Sequence, residues 1–248
     1  MDLKKPENIL ELIKCQKKLV RQYWHYMNQL VKTRYKNAAL LTYWLRDYLR
    51  YLKAENAFNP KYNITYKRGQ IVYVNFGYRI GSELGGCHYA IVLDVKNSKS
   101  NSQVTVIPMK SKRTKDTAYS KIYHVNLSAE IQRLLVNKAV DMLNELSAKT
   151  NAMVSEYGLE GIKNNPILQK EISIMQRQLL QAKDTIDFAQ NKLNHESVAD
   201  VGQICTISKI RIVHPVKKTD VLTNICLSPE SMYKIEEKLH HLFFTGNS

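Results

Sequence analysis

The chain has 248 residues, 44% hydrophobic and 24% charged, a composition typical of a folded globular protein and not of a disordered one. No stretch approaches the roughly 18 uninterrupted apolar residues of a membrane span, and the first seven residues lack the apolar core of a signal peptide. We therefore expect a cytoplasmic protein without membrane partners.

The charge is strongly basic and unevenly distributed. The formal net charge is +15, and residues 1–68 alone hold 15 Lys and Arg against 5 Asp and Glu. A basic surface concentrates polyanions and gains free energy from counterion release. Nucleic acid is therefore the favoured class of partner, and a merely soluble basic protein is the alternative.

The four cysteines lie far apart in the sequence, at positions 15, 87, 205 and 226, without the spacing of zinc ligands. We predict reduced thiols, mostly buried, with no metal site and no cofactor.

Residues 7–55 show apolar residues at helical spacing, including Leu12, Leu19 and Leu45, which predicts two amphipathic helices with a break near Asn37. The Asn59-Pro60 pair then indicates a linker, since a residue before proline disfavours the helical region. We assign residues 1–62 to an N-terminal helical region.

From Gly69 onward the apolar period changes to two. Three β-branched runs predict strands, at 70–76, 90–95 and 104–107. Between the first two lies the loop Gly81-Ser82-Glu83-Leu84-Gly85-Gly86, whose glycines allow backbone N–H groups to approach an anion.

Helical spacing returns at Ser128, with a predicted turn at 158–166. The second helix carries a heptad seam typical of a coiled coil, formed by Leu168, Ile172, Met175, Leu179, Ala182, Ile186, Ala189 and Leu193. We interpret residues 128–197 as an inserted helical hairpin that covers the substrate groove. Strands at 201–207 and 210–213 follow, and Ser228-Pro229 begins a last helix that reaches about Phe243.

Two blocks, 68–113 and 199–244, carry a family resemblance. The run Arg68–Phe76, the loop Gly81–Gly86 with Cys87–Leu93, and Val104–Pro108 resemble the opening of MazF/PemK toxins. The run Val201–Lys209 is similar to the family's strand before its C-terminal helix. The resemblance implies an α+β fold with an SH3-like small β-barrel, here at 67–127 plus 198–245.

The resemblance further implies metal-independent cleavage of single-stranded RNA, a homodimer and a neutralising antitoxin. His88 stands where the family has its catalytic arginine, and Lys110, followed by Ser111, stands where it has Thr or Ser. Glu83 matches the family's acidic loop residue, and Asn75 stands where aspartate is common.

Metal-free cleavage requires a base for the 2′-hydroxyl, stabilisation of the phosphorane and an acid for the leaving oxygen. We predict His88 in proton transfer, Glu83 as base or as the group that orients His88, and Lys110 with Ser111 at the phosphate. The alternatives are a structural His88, a Glu83 that accepts loop N–H bonds, and a Lys110 that only contacts phosphate. The predicted RNA-binding residues are Asn75, Ser82, Gly85, Gly86, Lys112, Arg113 and Lys115.

Two functions stay open at the level of sequence. The first is an endoribonuclease toxin, which the glycine loop and the basic surface favour. The second is a non-catalytic module on the same barrel that binds nucleic acid or inhibits a protein, which the replacement of the family's Arg and Thr favours.

Overall fold

A computed structural model describes residues 5–112, 117–193 and 195–244. The chain divides into two units, one formed by residues 1–57 with 77–81 and the other by residues 58–76 with 82–248. No described helix is long and apolar enough to cross a membrane.

The first unit consists of two helices, α1 (Ile9–Thr33) and α2 (Tyr35–Ala54). The two helices are separated at Arg34, where φ and ψ leave the helical region, three residues before the predicted break. Leu30, Ala38 and Leu41 form the buried cluster of this unit. Most of the remaining apolar side chains of α1 are exposed, among them Trp24.

The second unit is built on a seven-stranded antiparallel sheet. Its strands are β1 (Ile71–Asn75), β2 (Cys87–Val92), β3 (Gln103–Ser111), β4 (His124–Ser128), β5 (Ser197–Asp200), β6 (Cys205–Ser208) and β7 (Ile212–His214). The strand order is β4-β5-β3-β2-β1-β7, and β6 also pairs with β3. The α+β class is confirmed, but over the described residues the sheet is not closed, and a complete barrel is therefore not formed.

The long strand β3 pairs with three other strands. One side of β3 pairs with β2, whereas the other pairs with β6 along its first residues and with β5 along its last three. Because β5 continues to β4, the sheet branches outward at the end of β3. Strands β4 and β5 thus extend the sheet beyond the strands β1, β2, β3, β6 and β7.

Alternation along the strands builds a core on each side of the sheet. Val72, Ala90 and Val106 belong to one buried cluster, and Ile71, Ile91 and Ile107 to the other. The second cluster also receives apolar side chains from three helices, α4 (Glu130–Asn164), α5 (Pro166–Lys192) and α6 (Pro229–Phe243). Each fully buried Val or Ile stabilises the fold by roughly 1.5–3 kcal/mol.

The helices α4 and α5 pack against each other as the heptad pattern predicts, and the chain reverses within the predicted turn at 158–166. Gly158 interrupts α4 with a positive φ of 63°, and α4 resumes to Asn164. Asn165 then caps α5, because its Oδ1 accepts the N–H of Ile167 at 2.9 Å. Along the seam Leu168, Ala182 and Ala189 are buried, whereas Leu179 is 52% exposed.

Two further predictions are corrected by the fold. The predicted strand at 201–207 is wrong in its first half, because residues Val201–Gln203 form a 3-10 turn and β6 begins only at Cys205. The cysteines are free thiols as expected, but they are not mostly buried: Cys15 and Cys87 are exposed, and Cys205 and Cys226 are half-buried. The last helix begins at Pro229 with Ser228 as its N-cap, as predicted.

Candidate active site

A cleft of about 950 Å³ opens where the sheet branches. It is lined by Ser82, Leu84, Gly85, His88, Lys110, Ser111, Lys112, Thr117, Tyr119, Ser120, Lys121, His124, Asn126, Val198, Asp200 and Gln203. All belong to the second unit. Polar groups from two loops, four strands, the short helix α3 (Ala118–Tyr123) and the 3-10 turn Val201–Gln203 thus converge on one cavity, as is typical of a ligand site.

Strand register explains why these side chains share a face. Lys110 pairs with Val198, and Val198 pairs with Asn126, so the three side chains point to the same side of the sheet. Asp200, two residues after Val198, points to that side as well, as does its partner His124. The intervening Met109, Val125 and Ala199 point to the helical core.

His88 and Lys110 line the same cleft. The pairing of β2 with β3 ends at Ala90 and Pro108, and His88 and Lys110 each lie two residues beyond this last pair, close enough for the charge of Lys110 to act on the His88 ring. Both strands have left the buried core at this point, since the exposure of β3 rises from Met109 to Ser111. The histidine and the lysine therefore sit at the mouth of the sheet, facing the cleft.

Asp200 is the most deeply buried charged residue of the cleft, with 1% of its surface exposed. The Nζ of Lys110 donates to Oδ2 of Asp200 at 2.7 Å, and the hydroxyl of Tyr119 donates to Oδ1 at 2.9 Å. The Nε2 of His124 lies 3.7 Å from Oδ2. A buried carboxylate is tolerated only when it is paired in this way.

The His88 ring is half-buried and held by the backbone. Burial lowers the pKa of His88 below its ordinary value of 6.5, and the nearby charge of Lys110 lowers it further. Hydrogen bonds with the backbone of Met109 and Gly85 act in the opposite direction without reversing the shift. His88 is therefore mainly neutral at pH 7, which is the form that accepts a proton.

The wall opposite the glycine loop is aromatic. The rings of Tyr119 and Tyr123 lie 4.6 Å apart, and the Nζ of Lys110 lies 5.4 Å from the centre of the Tyr119 ring. Burial raises the pKa of the Tyr119 phenol, so it stays protonated near neutral pH. Gln203 links this wall to the loop, because its Oε1 accepts the N–H of Leu84 at 3.1 Å and its Nε2 donates to the Tyr119 hydroxyl at 3.5 Å.

The structure gathers part of the predicted site. The cleft is lined by six of the predicted residues, namely Ser82, Gly85, His88, Lys110, Ser111 and Lys112. Glu83 is exposed and does not line the cleft, nor do Gly86 and Asn75. The backbone oxygen of Asn75 accepts the Nε–H of Arg211 at 2.9 Å. Arg113 and Lys115 lie outside the described residues.

Lys112 is bound differently from Lys110. Its Nζ donates to Oε2 of Glu196 at 2.6 Å, but 42% of the Lys112 side chain and 50% of the Glu196 side chain are exposed. Exposed pairs of this kind contribute little to stability, about 0–1 kcal/mol.

Sequence reasoning missed Asp200, Tyr119, His124 and Gln203. Asp200 is 90 residues from Lys110, and neither position belongs to a short motif that would connect them. No described residue of 128–197 lines this cleft, but Lys192, Leu193, His195 and Ser197 line a smaller adjoining cavity of about 270 Å³ together with His88, Lys110 and Ser111. That the hairpin covers the groove stays a prediction. The described residues contain no group of three His, Cys, Asp or Glu placed to hold a metal ion.

Gly202 is required where the aromatic wall meets the 3-10 turn. A Cβ at this position would lie 2.8 Å from the Tyr119 oxygen and 2.9 Å from Cδ1 of Tyr123. We expect Gly202→Ala to lower the free energy of unfolding by roughly 1–3 kcal/mol, measured by chemical denaturation, because the rings must move.

The control is Gly161→Ala in α4, where the new Cβ would meet only the Cβ of Tyr157 at 3.4 Å. Alanine favours a helix there, so stability should be unchanged or slightly higher. A Gly202→Ala protein as stable as the original would show that the contact between the turn and the rings is loose.

Residues 67–147 match the family of PemK-like, MazF-like toxins of type II toxin–antitoxin systems. The match confirms the resemblance for the segment that contains β1 to β3, the glycine loop, α3 and β4. No curated protein matches the chain. Asp200 and Gln203 lie beyond the matched residues.

Proposed function

Because residues 67–147 match the PemK-like, MazF-like toxin family, we propose that this chain is a toxin that cleaves single-stranded RNA without a metal cofactor. The observation that supports this best is the cleft that His88 and Lys110 both line, at the ends of strands β2 and β3 within the matched segment. Cleavage by a 2′-hydroxyl requires a proton acceptor, a group that stabilises the phosphorane and a proton donor for the leaving oxygen; His88 serves as acceptor and then as donor, and Lys110 as the cation.

The reaction begins with the 2′-hydroxyl of one nucleotide. Its oxygen forms a bond to the adjacent phosphorus while neutral His88 takes its proton, and the bond from phosphorus to the 5′-oxygen then breaks. The proton returns to that leaving oxygen, which leaves a 2′,3′-cyclic phosphate and a 5′-hydroxyl. The ammonium of Lys110, with the hydroxyl of Ser111, stabilises the negative charge that develops on the phosphorane.

The substrate is held by the groups around this centre. Ser82 and Gly85 supply loop contacts, and Lys112 binds the phosphate backbone next to the cleaved bond. Lys121, which lines the same cleft, extends the cationic surface. We assign Arg113 and Lys115 to the same backbone contact on the basis of sequence.

The test is to incubate the purified chain with mixed RNA in the presence of EDTA and to map new 5′ ends. The proposal expects cuts that carry 5′-hydroxyl groups and recur at a short sequence motif. His88→Ala protein, purified in parallel, controls for contaminating nucleases. RNA that stays intact with the original protein, with and without added Mg²⁺, would refute the proposal.

One observation favours a second function, a binding module without catalysis. The His88 ring is engaged by the backbone of Gly85 and Met109, and Lys110 is engaged by Asp200. Groups already bound to the protein suit a rigid surface that recognises a polyanion. In the same experiment this function predicts retarded RNA in a gel shift without new 5′ ends.

A toxin of this class has a neutralising partner, and we assign an antitoxin and a second copy of the chain as partners of this protein. The basic charge of +15 favours an acidic antitoxin. Light scattering of the purified chain tests the homodimer, and a monomer at all concentrations would refute it.

A further inference from the structure

The two members of the Asp200–Lys110 ion pair differ in their exposure to solvent. Its carboxylate lies beneath the cleft with 2% of the side chain exposed, whereas the Lys110 side chain is 26% exposed. The anion is thus fully withdrawn from solvent and its cation faces the cavity. The lysine keeps two N–H donors for other partners, because an ammonium carries three.

The carboxylate also fixes a second element of the cleft. While Oδ2 accepts from Lys110 on β3, Oδ1 accepts from the hydroxyl of Tyr119 on α3. One buried group thereby sets the position of the ammonium and of the adjacent ring, which are 5.4 Å apart. Tyr119 is 38% exposed, so its ring is accessible from the cleft.

The neighbouring pair of Lys112 and Glu196 provides a comparison within the same molecule. It joins the same two segments at a similar distance, 2.6 Å, but both of its side chains are largely exposed. Two long side chains in water keep their rotational freedom. Only the buried pair can hold an ammonium in one place before a substrate arrives.

We propose that Asp200 is a positioning residue that acts through Lys110 and Tyr119: it holds the ammonium against the reacting phosphate and the phenol ring against the adjoining nucleoside. The inference rests on the proposed function. It adds a residue beyond the family match, which ends at residue 147, and makes the return strand from the helical hairpin a part of the site.

The experiment is a double-mutant cycle of Asp200→Asn and Lys110→Met on the full chain, with Glu196→Gln as the matched control. Cleavage of one mapped RNA site is measured at saturating RNA, together with RNA affinity and thermal unfolding. Asparagine retains the acceptor for Tyr119 and loses the negative charge. We expect Asp200→Asn to slow cleavage about tenfold to a hundredfold, since displacement of a catalytic group by about 1 Å has that effect.

A positioning role predicts a specific pattern. RNA affinity should change less than about threefold, and Asp200→Asn should cause no further loss of rate in the Lys110→Met background, because residues that act as one unit are not additive. Glu196→Gln should stay within about twofold of the original rate, as expected for an exposed pair. A merely structural Asp200 would instead give rate losses that add in the double variant.

Two outcomes overturn the inference while the proposed function stands: a folded Asp200→Asn protein that cleaves within about twofold of the original, or additive losses in the cycle. If the original chain binds RNA without cleaving it, the nuclease function fails. The double-mutant cycle is then measured with RNA affinity in place of the cleavage rate. Non-additive losses of affinity would then support the positioning role, and additive losses would overturn it.

Discussion

Lys110→Met is expected to reduce RNA cleavage at saturating substrate by roughly a hundredfold to a thousandfold. The ammonium lies in the cleft that His88 also lines, and its contact with Asp200 fixes it there before RNA binds. Removal of one preorganised donor to the developing negative charge has an effect of this size in other enzymes. The measurement is the single-turnover rate at one mapped site.

The same substitution is expected to destabilise the protein, because it leaves the buried Asp200 without its cation. Breaking a buried pair costs about 3–5 kcal/mol, and the 26% exposure of Lys110 places the expected loss toward the lower end. The pair of substitutions Lys110→Met and Asp200→Asn removes both charges and should recover most of the stability. Activity that returned together with stability would show that Lys110 has a structural role only.

His88→Ala is expected to abolish cleavage while the fold and the RNA affinity stay largely intact. The ring lines the cleft and projects from β2, which Tyr89 and Ala90 anchor in the core. An alanine at this half-buried position leaves a small gap next to the cleft, where water can enter. The measurements are the cleavage rate, the affinity for RNA and the thermal midpoint.

The pH dependence gives an independent test of His88. Burial and the charge of Lys110 lower the pKa of His88, so the neutral form that accepts the proton persists below pH 6.5. The rate should therefore fall only as the pH drops below the ordinary histidine range. The free energy of unfolding should also fall on acidification. Because the pKa of His88 is lower in the folded chain than in the unfolded chain, protonation of His88 below pH 6.5 favours the unfolded state. An unchanged rate in His88→Ala would remove His88 from the mechanism.

Much of the strand content could be predicted because it depends on local patterns. The runs at 70–76 and 104–107 alternate β-branched and apolar residues, and they form β1 and the first part of β3. The Ser228-Pro229 start of α6 was equally clear, since capping depends on adjacent residues. The glycine loop and the position after it identified both the family and one side of the cleft.

The second side of the cleft could not be predicted, because its residues meet through pairing between distant strands. β4 and β5 are separated along the chain by the hairpin of α4 and α5. The apolar periodicity of the sequence therefore does not predict that β5 (Ser197–Asp200) lies between β3 and β4. The short helix α3 could not be predicted either, since six residues are too few to show a helical period.

The sequence by itself determined the two N-terminal helices, strands β1 to β3, the helical hairpin and the last helix, together with the family resemblance and the presence of His88 and Lys110 after the glycine loop. These features follow from neighbouring residues, whose propensities and spacing act within one segment. Only the tertiary structure decided that the sheet opens into a branch and that a carboxylate from beyond the hairpin lies under Lys110. The physical reason is that a charge is stable in a buried position only where distant segments bring its partners, and such a meeting leaves no trace in local sequence.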